Sequence, residues 1–146
     1  MASVFLNETK RLAAQNWLSA RTSLRMRLVM TNTTCDTEND AIQQLADYTT
    51  IDPSDATGYA DVVLAGSAVA VDDANDRAEF DANDVVFSGL SGNATRDYQG
   101  VVLYDRIDGT NANDLAQVFI DFTADITKFA TSVTVPWNAE GILQLA

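Results

Sequence analysis

The sequence contains no histidine, and this absence removes several common kinds of active site. Ser-His-Asp and Cys-His mechanisms need an imidazole to move protons, and the ordinary histidine-rich zinc sites are excluded as well. The single cysteine, Cys35, has no second thiol for an internal disulfide. Because Asp36 and Glu38 lie beside it and oppose a thiolate, we interpret Cys35 as buried or incidental. Among 21 acidic residues no defined acid–base pair stands out, so we expect no enzyme.

Long apolar runs are absent as well. The longest, such as residues 62–65 and 101–104, reach about one fifth of the length that spans a bilayer. At the N-terminus, Lys10 and Arg11 follow a small apolar patch, which reverses the order found in a secretory signal. We therefore expect neither a transmembrane helix nor a membrane partner.

Basic residues are scarce and unevenly placed: 9 stand against 21 acidic residues, for a net charge of -12. Residues 1–27 hold five basic residues against Glu8 and carry +4, whereas residues 28–146 hold four against twenty acidic residues and carry -16. The acidic bulk argues against nucleic-acid binding. The basic segment could dock on an acidic protein surface or on a neighbouring copy, or it could simply be solvated.

The N-terminal segment predicts a helix followed by a strand. Residues 7–17 place apolar side chains on one side of a helix, with Asn7 as its N-cap. In residues 24–30, LRMRLVM, apolar and basic residues alternate. A strand there would bury its apolar residues at alternate positions and turn Arg25 and Arg27 outward.

Short β segments separated by Asp, Asn and Gly fill most of the remaining chain. The predicted strands are residues 59–64, 68–71, 77–80, 85–87, 99–106, 116–122, 131–137 and 142–145. Their spacing favours a mainly β, single-domain fold, an antiparallel β-sandwich or jelly roll with a short N-terminal helix. We divide the chain into a basic, partly helical segment at residues 1–23 and a β-sandwich body at residues 24–146. Pro136 should lie at an edge, a bulge or a strand end.

Two loops, residues 72–76 and 105–114, are rich in the oxygen ligands that calcium prefers. Neither has the spacing of an EF-hand, and the second lacks the terminal bidentate glutamate. We favour plain Asp/Asn-rich turns over metal sites and expect no cofactor.

Four segments carry a family resemblance: VFLNETKR, LRMRLVMTNTTCDTEND, GYADVVLAGSAVAVDDANDRAEFDANDVVFSGL and VTVPWNAEGILQLA. Their most specific pieces are GYA from Gly58, DDANDRAEFDANDV from Asp72 and WNAEGIL from Trp137. In this order and spacing the segments resemble small virion structural proteins of tailed bacteriophages and cyanophages. The resemblance implies a capsid decoration or cement protein on the capsid surface of the virion. The chain departs from the pattern of these virion proteins in two places, the basic stretch NWLSARTSLRMR and a shortened polar stretch at residues 108–114.

The implied partners are the major capsid protein and other copies of this chain. We expect a homotrimer, because capsid shells offer local threefold sites. Our leading hypothesis assigns shell or subunit contacts to Trp17, Arg21, Arg25 and Arg27. The competing interpretation makes Trp17 a core anchor and places the arginines on the solvent side of a sheet.

Two further functions remain open. A head-fibre, tail or baseplate module would bind host carbohydrate through exposed aromatic residues, with Tyr48, Tyr59, Tyr98 and Tyr104 as candidates. Strand tyrosines more often belong to the core, which weighs against that platform. A calcium-stabilised binding module would instead use the two acidic loops.

Overall fold

The computed structural model describes residues 6–38, 41–137 and 141–145. The fold is mainly β, with antiparallel sheets and one N-terminal helix, so the predicted fold class is confirmed. In chain order the elements are α1 (Asn7–Ser19), β1 (Leu24–Met30), a 3-10 turn (Leu45–Asp47), β2 (Val62–Val63), β3 (Ala68–Asp72), β4 (Arg77–Asp81), β5 (Val85–Ser88), β6 (Tyr98–Asp105), β7 (Leu115–Ile126), β8 (Ser132–Val135) and β9 (Leu143–Leu145). Among the described residues, no helix has the length and apolar character that crossing a bilayer requires.

The chain forms two compact units, and each draws on separate stretches of sequence. Unit 1 contains the described parts of Met1–Arg21, Leu64–Asp84 and Val135–Ala146, and unit 2 contains those of Thr22–Val63 and Val85–Thr134. The predicted division after residue 23 lies close to the first crossing from unit 1 to unit 2. Unit 1 also takes strands from the predicted body, because an amphipathic helix needs a sheet against which to bury its apolar face.

In unit 1, helix α1 packs against a three-stranded antiparallel sheet of order β3-β4-β9. The Trp17 ring contacts the Phe80 ring edge-on, with 5.0 Å between ring centroids. The helix extends to Ser19, and its N-cap is Leu6 without a side-chain cap, so the assignment of Asn7 as N-cap is wrong. Asn7 is instead the first helical residue, and its side-chain amide donates a 2.9 Å hydrogen bond to the Asp73 carboxylate. Because Asp73 lies 66 residues away, no local pattern predicts this bond.

Unit 2 is built around a four-stranded antiparallel sheet of order β2-β1-β6-β7. Strand β1 has the predicted bounds, and its alternate apolar residues are buried as predicted: Leu24, Met26, Leu28 and Met30. A second, two-stranded sheet pairs β5 with β8, and Pro136 follows the end of β8. The stacked rings of Tyr59 and Phe87, 6.0 Å apart, connect the segment before β2 with β5.

Two strands of unit 2 differ from the sequence prediction. The predicted strand at residues 59–64 forms only at Val62–Val63, because the amide of Tyr59 donates to the Ala56 carbonyl in a turn. Gly58 in that turn has φ +90°, and a Cβ there would lie 2.2 Å from the Gly89 carbonyl oxygen, so the position requires glycine. Strand β7 extends to Ile126, four residues beyond its predicted end at residue 122, and it is half-buried at successive residues from 115 to 120.

Candidate functional site

Trp17 and Arg21, two of the four candidate contact residues, lie together in unit 1. The Arg21 guanidinium carbon is 5.4 Å from the centroid of the Trp17 ring, and its Nε donates a 3.1 Å hydrogen bond to the Trp17 carbonyl. Both side chains are half-buried. Since Trp17 also packs on Phe80, it joins the helix to its sheet, which favours the anchor interpretation of this residue.

Arg25 and Arg27, the other two candidates, belong to β1 of unit 2. Arg25 is half-buried, and its Nε is buried without a hydrogen-bond partner in the described part of the chain. Arg27 is engaged in an ion pair of 2.8 Å with Asp61, with side-chain exposures of 12% and 16%. Its Nη1 donates to the Asn111 side chain, also at 2.8 Å. Arg27 therefore presents little free surface to a partner.

The Asp61 carboxylate is the centre of a polar cluster that we name the Asp61 network: Arg27, Tyr59, Asp61, Tyr104 and Asn111. The hydroxyls of Tyr59 and Tyr104 donate to Asp61 at 2.5 and 2.7 Å. The Tyr59 hydroxyl in turn accepts a 3.0 Å bond from the Leu28 amide. The Arg27 guanidinium lies 5.0 Å from the centroid of the Tyr104 ring. Each of the five residues thus has a hydrogen-bond partner within the Asp61 network, and Tyr59 is also bonded to the backbone of β1.

Protonation within the Asp61 network is set by competing effects. Burial raises the pKa of Asp61, but hydrogen bonds from Arg27, Tyr104 and Tyr59 outweigh it and bring this pKa below its ordinary value. Burial, together with the negative charge of Asp61, raises the pKa of both tyrosines. At neutral pH the cluster therefore holds an ionised carboxylate and two protonated phenols, an arrangement that fixes side chains in place.

A second buried carboxylate, Asp105, holds the chain at the entry to β1. It is 1% exposed and accepts hydrogen bonds of 2.7 to 3.0 Å from the backbone amides of Thr22 and Ser23. Sequence reasoning missed both Asp105 and Asp61 as structural groups. Apart from Tyr59, which lies two residues before Asp61, their partners lie 34 to 83 residues away, so no local motif marks these two carboxylates.

Both acidic loops form turns through their own aspartates. Asp72 accepts from the amides of Ala74 and Asn75, and Asp114 Oδ1 accepts from the three successive amides of residues 107–109. These bonds match the turn interpretation of the two loops. Outside residues 1–5, 39–40, 138–140 and 146, no three acidic or thiol side chains converge in a way that could hold a metal ion.

A cavity of about 340 Å³ lies in unit 2 beside β7, and we name it the β7 cavity. Its lining includes Cys35, Asp36, Glu38, Tyr48 and residues 116–119. Burial raises the pKa of Cys35 to about 11 and that of Tyr48 to about 12, so both groups stay protonated at neutral pH. The negative charge of the lining therefore comes from the two carboxylates. The sequence around Cys35 indicated only an unreactive thiol, and no local pattern there predicted a cavity.

The four tyrosines proposed as a carbohydrate platform do not form one exposed surface. Tyr98 and Tyr104 are 0% and 2% exposed and belong to the core. Tyr59 is half-buried in the Asp61 network, and Tyr48 lines the β7 cavity. A change at Tyr98 would therefore disturb the core before it tested carbohydrate binding.

No protein-family model, no curated protein and no solved structure matches this chain.

Proposed function

We propose that this chain is a non-enzymatic structural component of a tailed-phage virion, a capsid decoration or cement protein that binds the shell of major capsid protein. The observation that carries the binding role is the internal pairing of three charged groups: Asp105, which is buried, and Arg27 and Asp61, which are largely buried. All three are engaged in bonds that fix strands and loops. A protein that binds a shell needs such a rigid body, and the resemblance of four sequence segments supports the virion as its setting.

Multivalency explains how modest contacts would suffice. If copies associate around a local threefold axis of the shell, each contact raises the effective concentration for the next, so weak contacts add up to firm attachment. Other copies of the chain and the major capsid protein are the partners in this proposal. The capsid surface is its location.

Arg21 is the most suitable of the four candidates for testing a shell contact. Arg27 is paired within unit 2, and Trp17 packs on Phe80. Deletion of residues 1–20 would remove α1 from its sheet and would confuse unfolding with lost binding. A charge reversal, Arg21→Glu, tests the contact with less disturbance, and the exposed Arg96 provides Arg96→Glu as a control in unit 2.

Copy number in purified virions tests the location. Quantitative mass spectrometry against the major capsid protein is expected to find hundreds of copies of this chain per particle. A small multiple of three or six would assign the chain to the tail, baseplate or portal instead. Absence from virions would refute the virion role in every form.

Binding to capsids that lack the protein tests the contact itself. We expect saturable binding that Arg21→Glu weakens by about tenfold, consistent with the loss of a charged contact, while Arg96→Glu leaves it unchanged. Equal binding by both variants would show that Arg21 does not contact the shell.

A further inference from the structure

The β7 cavity combines negative charge, aromatic surface and an open strand edge. We propose that it accepts one basic side chain, a guanidinium or an ammonium group, that a protein partner presents on an extended segment laid along β7. This inference goes beyond the virion role and does not depend on it, since it concerns the cavity of the isolated chain.

Charge is the first argument for a basic side chain. Asp36 and Glu38 lie in the lining, and the described lining residues include no basic one. Hydrogen bonds from Thr49 and Thr34 lower the pKa of Glu38, which keeps its carboxylate ionised at neutral pH. By sequence, unit 2 holds five basic and thirteen acidic residues, so the surroundings add to the attraction for a cation.

The apolar part of the lining is the second argument. Tyr48 and Phe119 contribute aromatic residues to the lining, and Ile42 and Ala116 contribute aliphatic ones. A cation over an aromatic ring gains electrostatic stabilisation, and the methylene stem of lysine or arginine packs well on apolar surface. At about 340 Å³ the cavity is at the small end of the range for ligand sites, which suits a single long side chain.

The strand edge indicates a protein source for that side chain. On the outer edge of β7, the segment 43–45 pairs with Leu115 and Ala116. From residue 118 to residue 121, the ladder pairs of β7 within the described residues are all with β6. A bulge interrupts the ladder at Gln117, but residues 118–121 include neither lysine nor proline, two residue types that commonly protect sheet edges. An added strand would satisfy this edge while delivering a side chain to the cavity.

The test is an NMR titration of the full chain with two peptides and two small molecules. The acetylated, amidated heptapeptide Thr-Val-Thr-Arg-Thr-Val-Thr is compared with its counterpart carrying Gln in place of Arg. The small molecules are n-butylguanidinium and the neutral n-butylurea. We expect the arginine peptide to shift the amide signals of residues 116–120 and to bind at least about tenfold more tightly than the glutamine peptide.

Asp36→Asn provides the site variant and Asp55→Asn the control, since both residues are exposed and both changes remove one negative charge from unit 2. Asp55 lies outside both β7 and the cavity lining. Asp36→Asn should weaken the binding of the arginine peptide by about fivefold or more, and Asp55→Asn should leave the affinity of that peptide unchanged. Equal affinity for the two peptides, or equal loss in both variants, would overturn the proposal. Binding of n-butylguanidinium as tight as that of the arginine peptide would also overturn it, by indicating a small-molecule site. None of these outcomes depends on the copy number in virions.

Discussion

The Tyr104 hydroxyl donates a 2.7 Å hydrogen bond to Asp61, which precedes it by 43 residues. This bond joins β6, which lies between β1 and β7 in the sheet, to the segment that leads into β2. Arg27 of β1 completes the triangle through its ion pair with Asp61. Three stretches of unit 2 that are distant in sequence are therefore held by one carboxylate.

Asp61→Asn should destabilise the protein by about 3 kcal/mol, because it leaves the Arg27 guanidinium largely buried without its counter-charge. Urea unfolding followed by circular dichroism measures the change. Tyr59→Phe is the milder comparison, since it removes one hydrogen bond to Asp61 and should cost about 1 kcal/mol. A cost for Asp61→Asn no larger than that of Tyr59→Phe would contradict the central role of the carboxylate.

The contribution of Asp61 should depend on pH. Its folded pKa is lowered, so between the folded value and the ordinary value near 4 the unfolded chain binds more protons, and stability rises with pH there. The contribution is complete above pH of about 5 and is lost as the pH falls through the folded pKa. Unfolding experiments on wild type and Asp61→Asn across this range should show their free-energy difference shrinking with acid. A constant difference would mean that Asp61 is not the titrating group.

Cys35 should resist alkylation in the folded protein. It is 4% exposed, and burial raises the pKa of its thiol to about 11, so about one thousandth is thiolate at pH 8. Iodoacetamide labelling followed by mass spectrometry should be at least about a hundredfold slower in buffer than in concentrated urea. Similar rates under both conditions would show that the thiol is reactive in the folded state.

Trp17→Ala should destabilise unit 1 by about 2 kcal/mol, below the range for fully buried tryptophans because this side chain is half-buried. Hydrogen exchange at the amides of β4, which carries Phe80, reports the loss locally. Arg21→Ala removes the cation–π contact with Trp17 and should cost less than about 1 kcal/mol. If Trp17→Ala leaves β4 protection unchanged, the ring does not anchor the helix to the sheet.

Local sequence pattern determined several elements of the fold. The alternation in residues 24–30 predicted both the bounds of β1 and its buried face, and the spacing of the short apolar segments predicted the mainly β class. These features depend on the periods of helix and strand, which are properties of neighbouring residues. The N-terminal helix was predicted for the same reason, although its cap was not.

The tertiary structure alone decided how the charged residues are used. Sequence placed Arg27 on the outer side of a strand, but only folding brought Asp61 within 2.8 Å of it and removed most of its exposure. The β7 cavity likewise joins residues 116–119 to a distant set of lining residues, which no local period connects with them: Cys35, Asp36, Glu38, Ile42 and Tyr48. Periodicity assigns a side chain to one face of a strand, whereas the partner it meets there depends on contacts between segments that are distant in sequence.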